Sequence, residues 1–424
     1  MIRAMTMNVA NVLLSFSDAI DLAAPVLAQH QQRVAFAALE MGTLAGLPED
    51  LIETTFIAAL LHDVGALSFE EKSALHNFEG DCEMHCIRGA ILVHEVPWLR
   101  STTEIIRHHH RPWTVWGEPI DTPHVMASQL IMLADHLERL VNRSEYILHQ
   151  EKELVSRITA LSGSVFHPDI VDLFVQVSCR EEFWLDLASP RLYSLLLHDG
   201  PHRQLTIDLP RLKALARLFQ HVVDFGSRFT ATHSAGVAAC AEILGRLFTL
   251  TDMEVEMLSV AGALHDLGKL SVSNDILYKP AKLSEKEFEI MRSHTYFTYS
   301  VLSSIPGMRQ IAEWAAFHHE RLDGTGYPFR CKAEELSTGS RILMVADLFT
   351  AIAEERPYRA PMKREEVVGI LQNLANRGIM DANIIQLLLD NQDTVFPFVE
   401  EQQRESLNFF ETRFDKSALD YSGL

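Results

Sequence analysis

Apolar residues return every three to four positions along almost the whole chain, and no stretch sustains the strict alternation of a half-buried strand. In "SQLIMLADHLERL" (128–140), Leu130, Leu133, Ala134 and Leu137 fall at i, i+3, i+4 and i+7, which is one face of a helix. "SRILMVADLFTAI" (340–352) repeats this with Ile342, Val345, Ala346 and Phe349. The pattern predicts an all-α fold. "ASPRLYSLLLHDGPHRQL" (188–205), with Pro190, Gly200 and Pro201, reads as the junction between two tandem helical bundles, 1–195 and 205–424. "EEQQRESLNFFETRF" near the C-terminus predicts one more helix or a tail.

The two bundles are copies of one another. "ALLHDVGAL" (59–67) matches "ALHDLGKL" (263–270), and the two apolar helices above match as well. His30 and His233 each stand 32 residues before the histidine of the His-Asp step. Phe16, Ile20 and Asp21 match Phe219, Val223 and Asp224. A repeat of about 190 residues is a duplicated domain, not a short-period solenoid.

Composition narrows the partners. With 37 basic and 57 acidic residues among 424, the net charge of −20 disfavours polymeric nucleic acid. A small anion can still bind where metal ions or a few cations supply local positive charge. No apolar run approaches the ~18 residues a membrane span needs, and the first 25 residues offer no clean signal-peptide core. Five cysteines without framework spacing suit a reducing compartment, so a cytoplasmic protein is expected. Cys82 and Cys86 read as thiols on one helix face, with no second pair to make a metal knuckle.

Ten of the 20 histidines fall at matched positions. The second half offers His233, His265, Asp266, His294, His318, His319 and Asp347. The first offers His30, His62, Asp63, His85, His108, His109 and Asp135 as a second candidate set. Five imidazoles and two carboxylates suffice for two metal ions sharing a bridging carboxylate, and this mixture suits Fe, Mn or Zn better than Mg or Ca. A lone His-Asp step carries little weight: His198-Asp199 has no partners at these spacings.

"HDLGK" (265–269) followed by "HHERLDGTGYP" (318–328) resembles the signature of the HD-GYP family, a subgroup of the HD metal-dependent phosphohydrolases. The resemblance covers roughly residues 215–392. It implies an α-helical HD fold, a centre of two divalent ions commonly containing iron or manganese, and hydrolysis of bacterial cyclic dinucleotides, chiefly cyclic di-GMP, with cyclic GMP-AMP as a second substrate. Carried over by position, His233, His265, Asp266 and Asp347 hold one ion. Asp266, His294, His318 and His319 hold the other, with Asp266 as bridge and catalytic centre. A third ion, where the family has one, takes a glutamate at the place of Phe229, so two ions are expected. Lys269 stabilises charge on the phosphodiester, and Arg356 and Arg359 bind substrate.

Two departures stand out. Thr350 replaces the second aspartate of the family's Asp-x-x-Asp, and Gly236 replaces an arginine. The first half departs further, with Ala66 in place of Lys269, Ser144 in place of Arg356, and "RPWTVWG" in place of the Gly-Tyr-Pro turn. It is expected to be regulatory, and a further metal centre there stays open. Three alternatives also remain at this level: a receptor that binds the dinucleotide without cleaving it, di-iron redox or oxygen sensing by the first half, and a homodimer or protein partners in signalling.

Overall fold

The computed structural model describes residues 5–22, 27–78, 82–226, 230–354 and 362–414, except for the side chain of Phe69. Arg356, Arg359 and Phe229 lie outside the described residues. Within them the chain is helical, with two three-residue strands, β1 (Thr6–Asn8) and β2 (Thr206–Asp208), in one two-stranded sheet. It divides into two compact units, one of Met7–Thr206 and one running on from Ile207. The stretch read as a junction carries a helix of its own, Leu192–Asp199, so the first unit extends past residue 195.

The first unit contains α1 (Val9–Asp21), α2 (His30–Leu44), α3 (Glu49–Leu61), α4 (Phe69–His76), α5 (Cys82–His94), α6 (Thr103–His108) and α7 (Pro123–Leu140). It closes with α8 (Ile147–Thr159), α9 (Pro168–Ser178), α10 (Glu181–Leu187) and α11 (Leu192–Asp199). The second unit repeats the plan with α12 (Leu209–Asp224), α13 (His233–Leu247), α14 (Asp252–Leu264), α15 (Asn274–Leu277), α16 (Glu285–Ser303), α17 (Arg309–Ala316) and α18 (Thr338–Ala353). Then come α19 (Arg364–Asn376), α20 (Ala382–Asp390) and α21 (Gln392–Phe409), the last running into a π-helical turn at Phe410–Phe414.

Local sequence sets the helix ends. Thr251 with Glu254 and Ser284 with Glu287 form reciprocal capping boxes that satisfy the first free amides of α14 and α16. The predicted stripes on α7 and α18 are buried, and so is the opposite face, because Asp135 and Asp347 project from it at 2% and 8% exposure. A helix buried all round cannot place a carboxylate in its interior without partners. Those partners are the histidines.

One close approach brings them together. After α14 the chain turns through His265, Asp266 and Gly268 and runs against α16. A Cβ at Gly268 would lie 1.9 Å from the His294 carbonyl oxygen. Thr298 Oγ1 accepts from the Gly268 amide at 2.9 Å and donates to the His265 carbonyl at 3.0 Å, tying the turn to the helix that carries His294. Gly65 makes the same approach in the first unit, with a Cβ position 2.1 Å from the His85 carbonyl. Only glycine fits either place.

Gly268→Ala must therefore push α16 away. We expect a loss of roughly 1–3 kcal/mol, read as a fall of several degrees in melting temperature by calorimetry. An unchanged melting temperature would show that the backbone yields without cost.

Candidate metal centre

In the second unit five imidazoles converge on two carboxylates. His265 caps α14, His294 lies inside α16, and His318 and His319 follow the end of α17. His233 opens α13, and Asp347 comes from α18. Asp266 is 2% exposed, and its two oxygens divide the ligands. Oδ2 lies 3.1 Å from His265 Nε2 and 3.9 Å from His233 Nε2. Oδ1 lies 3.3 Å from His294 Nε2 and 3.9 Å from His318 Nε2. Asp347 spans the same division, with Oδ1 3.3 Å from His233 Nε2 and Oδ2 3.7 Å from His319 Nδ1.

The outer nitrogens fix which tautomer each ring adopts. Carbonyl oxygens can only accept, so Nδ1 carries the proton in His265 (to Gly262), His294 (to Met291) and His318 (to Ala315), at 2.6 to 2.8 Å. Each Nε2 is then a bare lone pair aimed inward. His265 Nε2 finds no hydrogen-bond partner among the described residues. The Nε2 atoms of His294 and His318 face each other at 3.3 Å. Burial holds His294 neutral, its pKa pushed down to about 3, and holds His318 well below the usual histidine value. Two lone pairs at that distance repel unless a cation lies between them. The donor set therefore fits divalent transition metals.

Around this centre opens a cavity of about 920 Å³, walled by Asp266, His318, His319, Asp347 and Tyr327. Lys269 Nζ sits 2.5 Å from Asp266 Oδ2 in the same wall. Burial alone would lower the pKa of that ammonium, but Asp266 outweighs it and holds the value above the usual one. Arg292, Arg321 and Arg330 also face the cavity, and Arg292 lies over the Tyr327 ring at 4.8 Å. These three were not singled out in the sequence, because an arginine near a glycine-rich turn looks like any solvated cation. The turn is pinned by Glu320, which accepts from the amides of Phe329, Arg330 and Cys331 at 2.7 to 3.1 Å.

The substitution at Thr350 has a structural answer. In the first unit the matched residue is Glu138, which contacts His30 Nδ1 at 2.5 Å. Thr350 is too short for this, and Glu354, one turn further along, meets His233 Nδ1 at 3.0 Å instead. Burial alone would lower the pKa of His233, but Glu354 and Asp347 raise it to about 10. At Gly236 a Cβ would lie 2.7 Å from both Gln403 Nε2 and Thr350 Cγ2, so the arginine of the resemblance would have to displace the Gln403 side chain and the buried Thr350 methyl.

The first unit repeats the inner arrangement atom for atom. Asp63 Oδ2 lies 3.5 Å from His30 Nε2 and 3.4 Å from His62 Nε2, and Oδ1 lies 3.5 Å from His85 Nε2 and 3.9 Å from His109 Nε2. Asp135 Oδ1 lies 3.4 Å from His30 Nε2. One correction is needed to the sequence pairing. His109 takes the place of His318, its Nε2 3.2 Å from His85, and His110 takes the place of His319, its Nδ1 3.9 Å from Asp135 Oδ2. His108 is outside the cluster, 3.4 Å from Glu104 and edge-on to Trp116. Three consecutive histidines allow two pairings, and the sequence does carry a deciding signal. His85 to His109 and His294 to His318 are both 24 residues.

Comparison with known proteins agrees with the duplication. The HD domain family matches twice, at residues 27–140 and 205–384. The chain is 29% identical to the 3'3'-cGAMP-specific phosphodiesterase 1 of Vibrio cholerae serotype O1, over 87% of this chain and 88% of the relative. It is 31% identical to the 3'3'-cGAMP-specific phosphodiesterase 3 of that organism, over 68% of this chain and 63% of the relative. A cyclic di-GMP phosphodiesterase of Thermotoga maritima is 35% identical over 35% of this chain and 41% of its own length. The crystal structure of a cyclic GMP-AMP specific phosphodiesterase in V. cholerae (V-cGAP3) shares the fold, with a TM-score of 0.62 at 23% identity, covering 92% of this chain and 98% of that one. The chain belongs to the HD family, with two HD domains in tandem, the second carrying the HD-GYP signature.

Proposed function

We propose that the second HD domain hydrolyses a cyclic dinucleotide, using two divalent ions held about Asp266, to a linear dinucleotide or mononucleotides. The observation that carries this reading is the division of Asp266: one buried carboxylate turns each oxygen to a different set of imidazoles, in the wall of a cavity bordered by cations. His233, His265 and Asp347 would complete one ion's ligands, and His294, His318 and His319 the other's. The mixed imidazole and carboxylate set suits iron, manganese or zinc, and among these the resemblance implies iron or manganese. Such a pair of ions supplies Lewis acidity toward the phosphoryl oxygens and makes water nucleophilic at neutral pH.

The protein's own groups do the rest. Backbone carbonyls hold the rings of His265, His294 and His318 so that Nε2 points inward. The Lys269 ammonium stabilises the charge that builds on nonbridging oxygens as the phosphodiester is attacked. A cyclic dinucleotide carries two phosphodiesters, and Arg292, Arg321 and Arg330 offer guanidinium forks for the second phosphate or a base edge. The resemblance put cyclic di-GMP first. The relatives that span both halves are named for 3'3'-cGAMP, so cyclic GMP-AMP takes first place in this proposal. Five cysteines without framework spacing suit a reducing compartment, and the cytoplasm is the proposed location. No helix among the described residues is long and apolar enough to cross a membrane.

Incubating the metal-loaded protein with cyclic GMP-AMP, cyclic di-GMP and cyclic di-AMP tests the reading. We expect turnover of at least one, with cyclic GMP-AMP fastest, and a loss of roughly 10³-fold or more in Asp266→Ala together with its metal. Tight binding without turnover under every metal tried would make the protein a receptor and sink the enzyme reading. Lys269→Met separates chemistry from ligation: kcat should fall by roughly 10²–10³ while bound metal, measured by mass spectrometry, stays at the wild-type level.

A further inference from the structure

We propose that the first HD domain holds a second pair of divalent transition-metal ions in a sealed centre, and that Arg139 sets how fast those ions exchange. This does not depend on what the second domain hydrolyses.

The donor geometry comes first. His30, His62 and Asp63 bring ligand atoms within 4.8 Å of one another, and so do Asp63, His85, His109 and His110. Asp63 belongs to both groups, as a bridging carboxylate must. His62 is fully buried, and its Nδ1 donates to the Ala59 carbonyl at 2.8 Å. Its Nε2 therefore has a bare lone pair, aimed at the two aspartates, with no hydrogen-bond partner among the described residues. His109 is placed alike, with Nδ1 donating to Ile106 at 2.6 Å and Nε2 turned to His85.

The surroundings separate this centre from the one that faces the large cavity. The space beside it is about 10 Å³, room for about one water and for no phosphodiester. Arg139 closes it. Its Nη2 pairs with Asp135 Oδ2, its Nη1 donates to the Leu75 carbonyl at 2.7 Å, and its guanidinium stacks on Phe78 at 4.5 Å. Lys72 on α4 is anchored over the same space by the Ile20 carbonyl at 2.8 Å. The residue matched to Arg139 is Ala351, which lines the open cavity of the second domain. Arg139 binds Asp135 Oδ2, while Oδ1 still faces His30 and His62, so the seal leaves that ligand face intact. The two centres share their ligands and differ in access.

The test uses the full chain loaded with Mn(II), desalted, and extracted with excess EDTA while metal content is followed. Two pools are expected, the slow one leaving at least tenfold more slowly than the fast one. Asp63→Asn should remove the slow pool, and Asp266→Ala the fast one. Arg139→Ala should speed the slow pool at least tenfold without reducing its size. Circular dichroism and the melting temperature report whether each variant is folded. A folded Asp63→Asn that binds as much Mn(II) as wild type would show that the first domain holds no metal and overturn the proposal. A slow pool indifferent to Arg139→Ala would overturn the gating part.

Discussion

A carboxylate taken out of water must find charge or hydrogen-bond donors, and Asp266 is almost completely out of water. In this protein the Lys269 ammonium meets one of its oxygens, while the facing imidazoles are fixed as acceptors toward it, since their Nδ1 protons are committed to backbone carbonyls. An acceptor facing an acceptor is repulsive, so beyond the Lys269 ammonium the cluster calls for further cations among the inward-facing nitrogens. That requirement organises the domain. It explains why ligands come from three helices and from the turns after α14 and α17, why Asp347 is buried on α18, and why the first of those turns must lack a Cβ to reach α16.

Much of this is legible in the sequence because duplication displays it twice. The order of ligands, the two-bundle plan and the helical class follow from matched motifs and from the three-to-four-residue spacing of apolar positions. What escapes depends on the third dimension. The choice between His108 and His110 is legible only from the 24-residue spacing back to His85 and His294, because apolar spacing does not define the end of α6 to one residue. Glu354 lies a turn beyond the family's aspartate and becomes visible as its replacement only when His233 Nδ1 is seen beside it. Arg139 looks like one more charged residue at a helix end, and only its burial over Asp135 reveals a seal.

The two domains show how little must change to alter what a metal-ligand set can do. Their inner atoms are arranged alike to within a few tenths of an ångström, so ligand identity cannot account for a difference in chemistry. On the functions proposed for the two domains, two exchanges in the surrounding shell carry the difference. Lys269 stands beside the bridging aspartate of one domain, whereas Ala66 leaves that place in the other without an ammonium and Lys72 is tied to the Ile20 carbonyl. Ala351 and Arg139 set whether there is space for a phosphodiester at all.

These exchanges are coupled through charge. In the second domain Lys269 neutralises part of the aspartate pair from the rim and leaves the mouth open. In the first, Ala66 supplies no cation, and positive charge comes instead from Lys72 on α4 and from Arg139 on α7, the helix that bears Asp135 itself. A guanidinium on that helix must cross the mouth of the site to bind the outer carboxylate oxygen. Neutralising the cluster from that side therefore closes it. The long cation at position 139 stands over a small enclosed space, whereas the short side chain at position 351 lines a large cavity beside the same set of carboxylates.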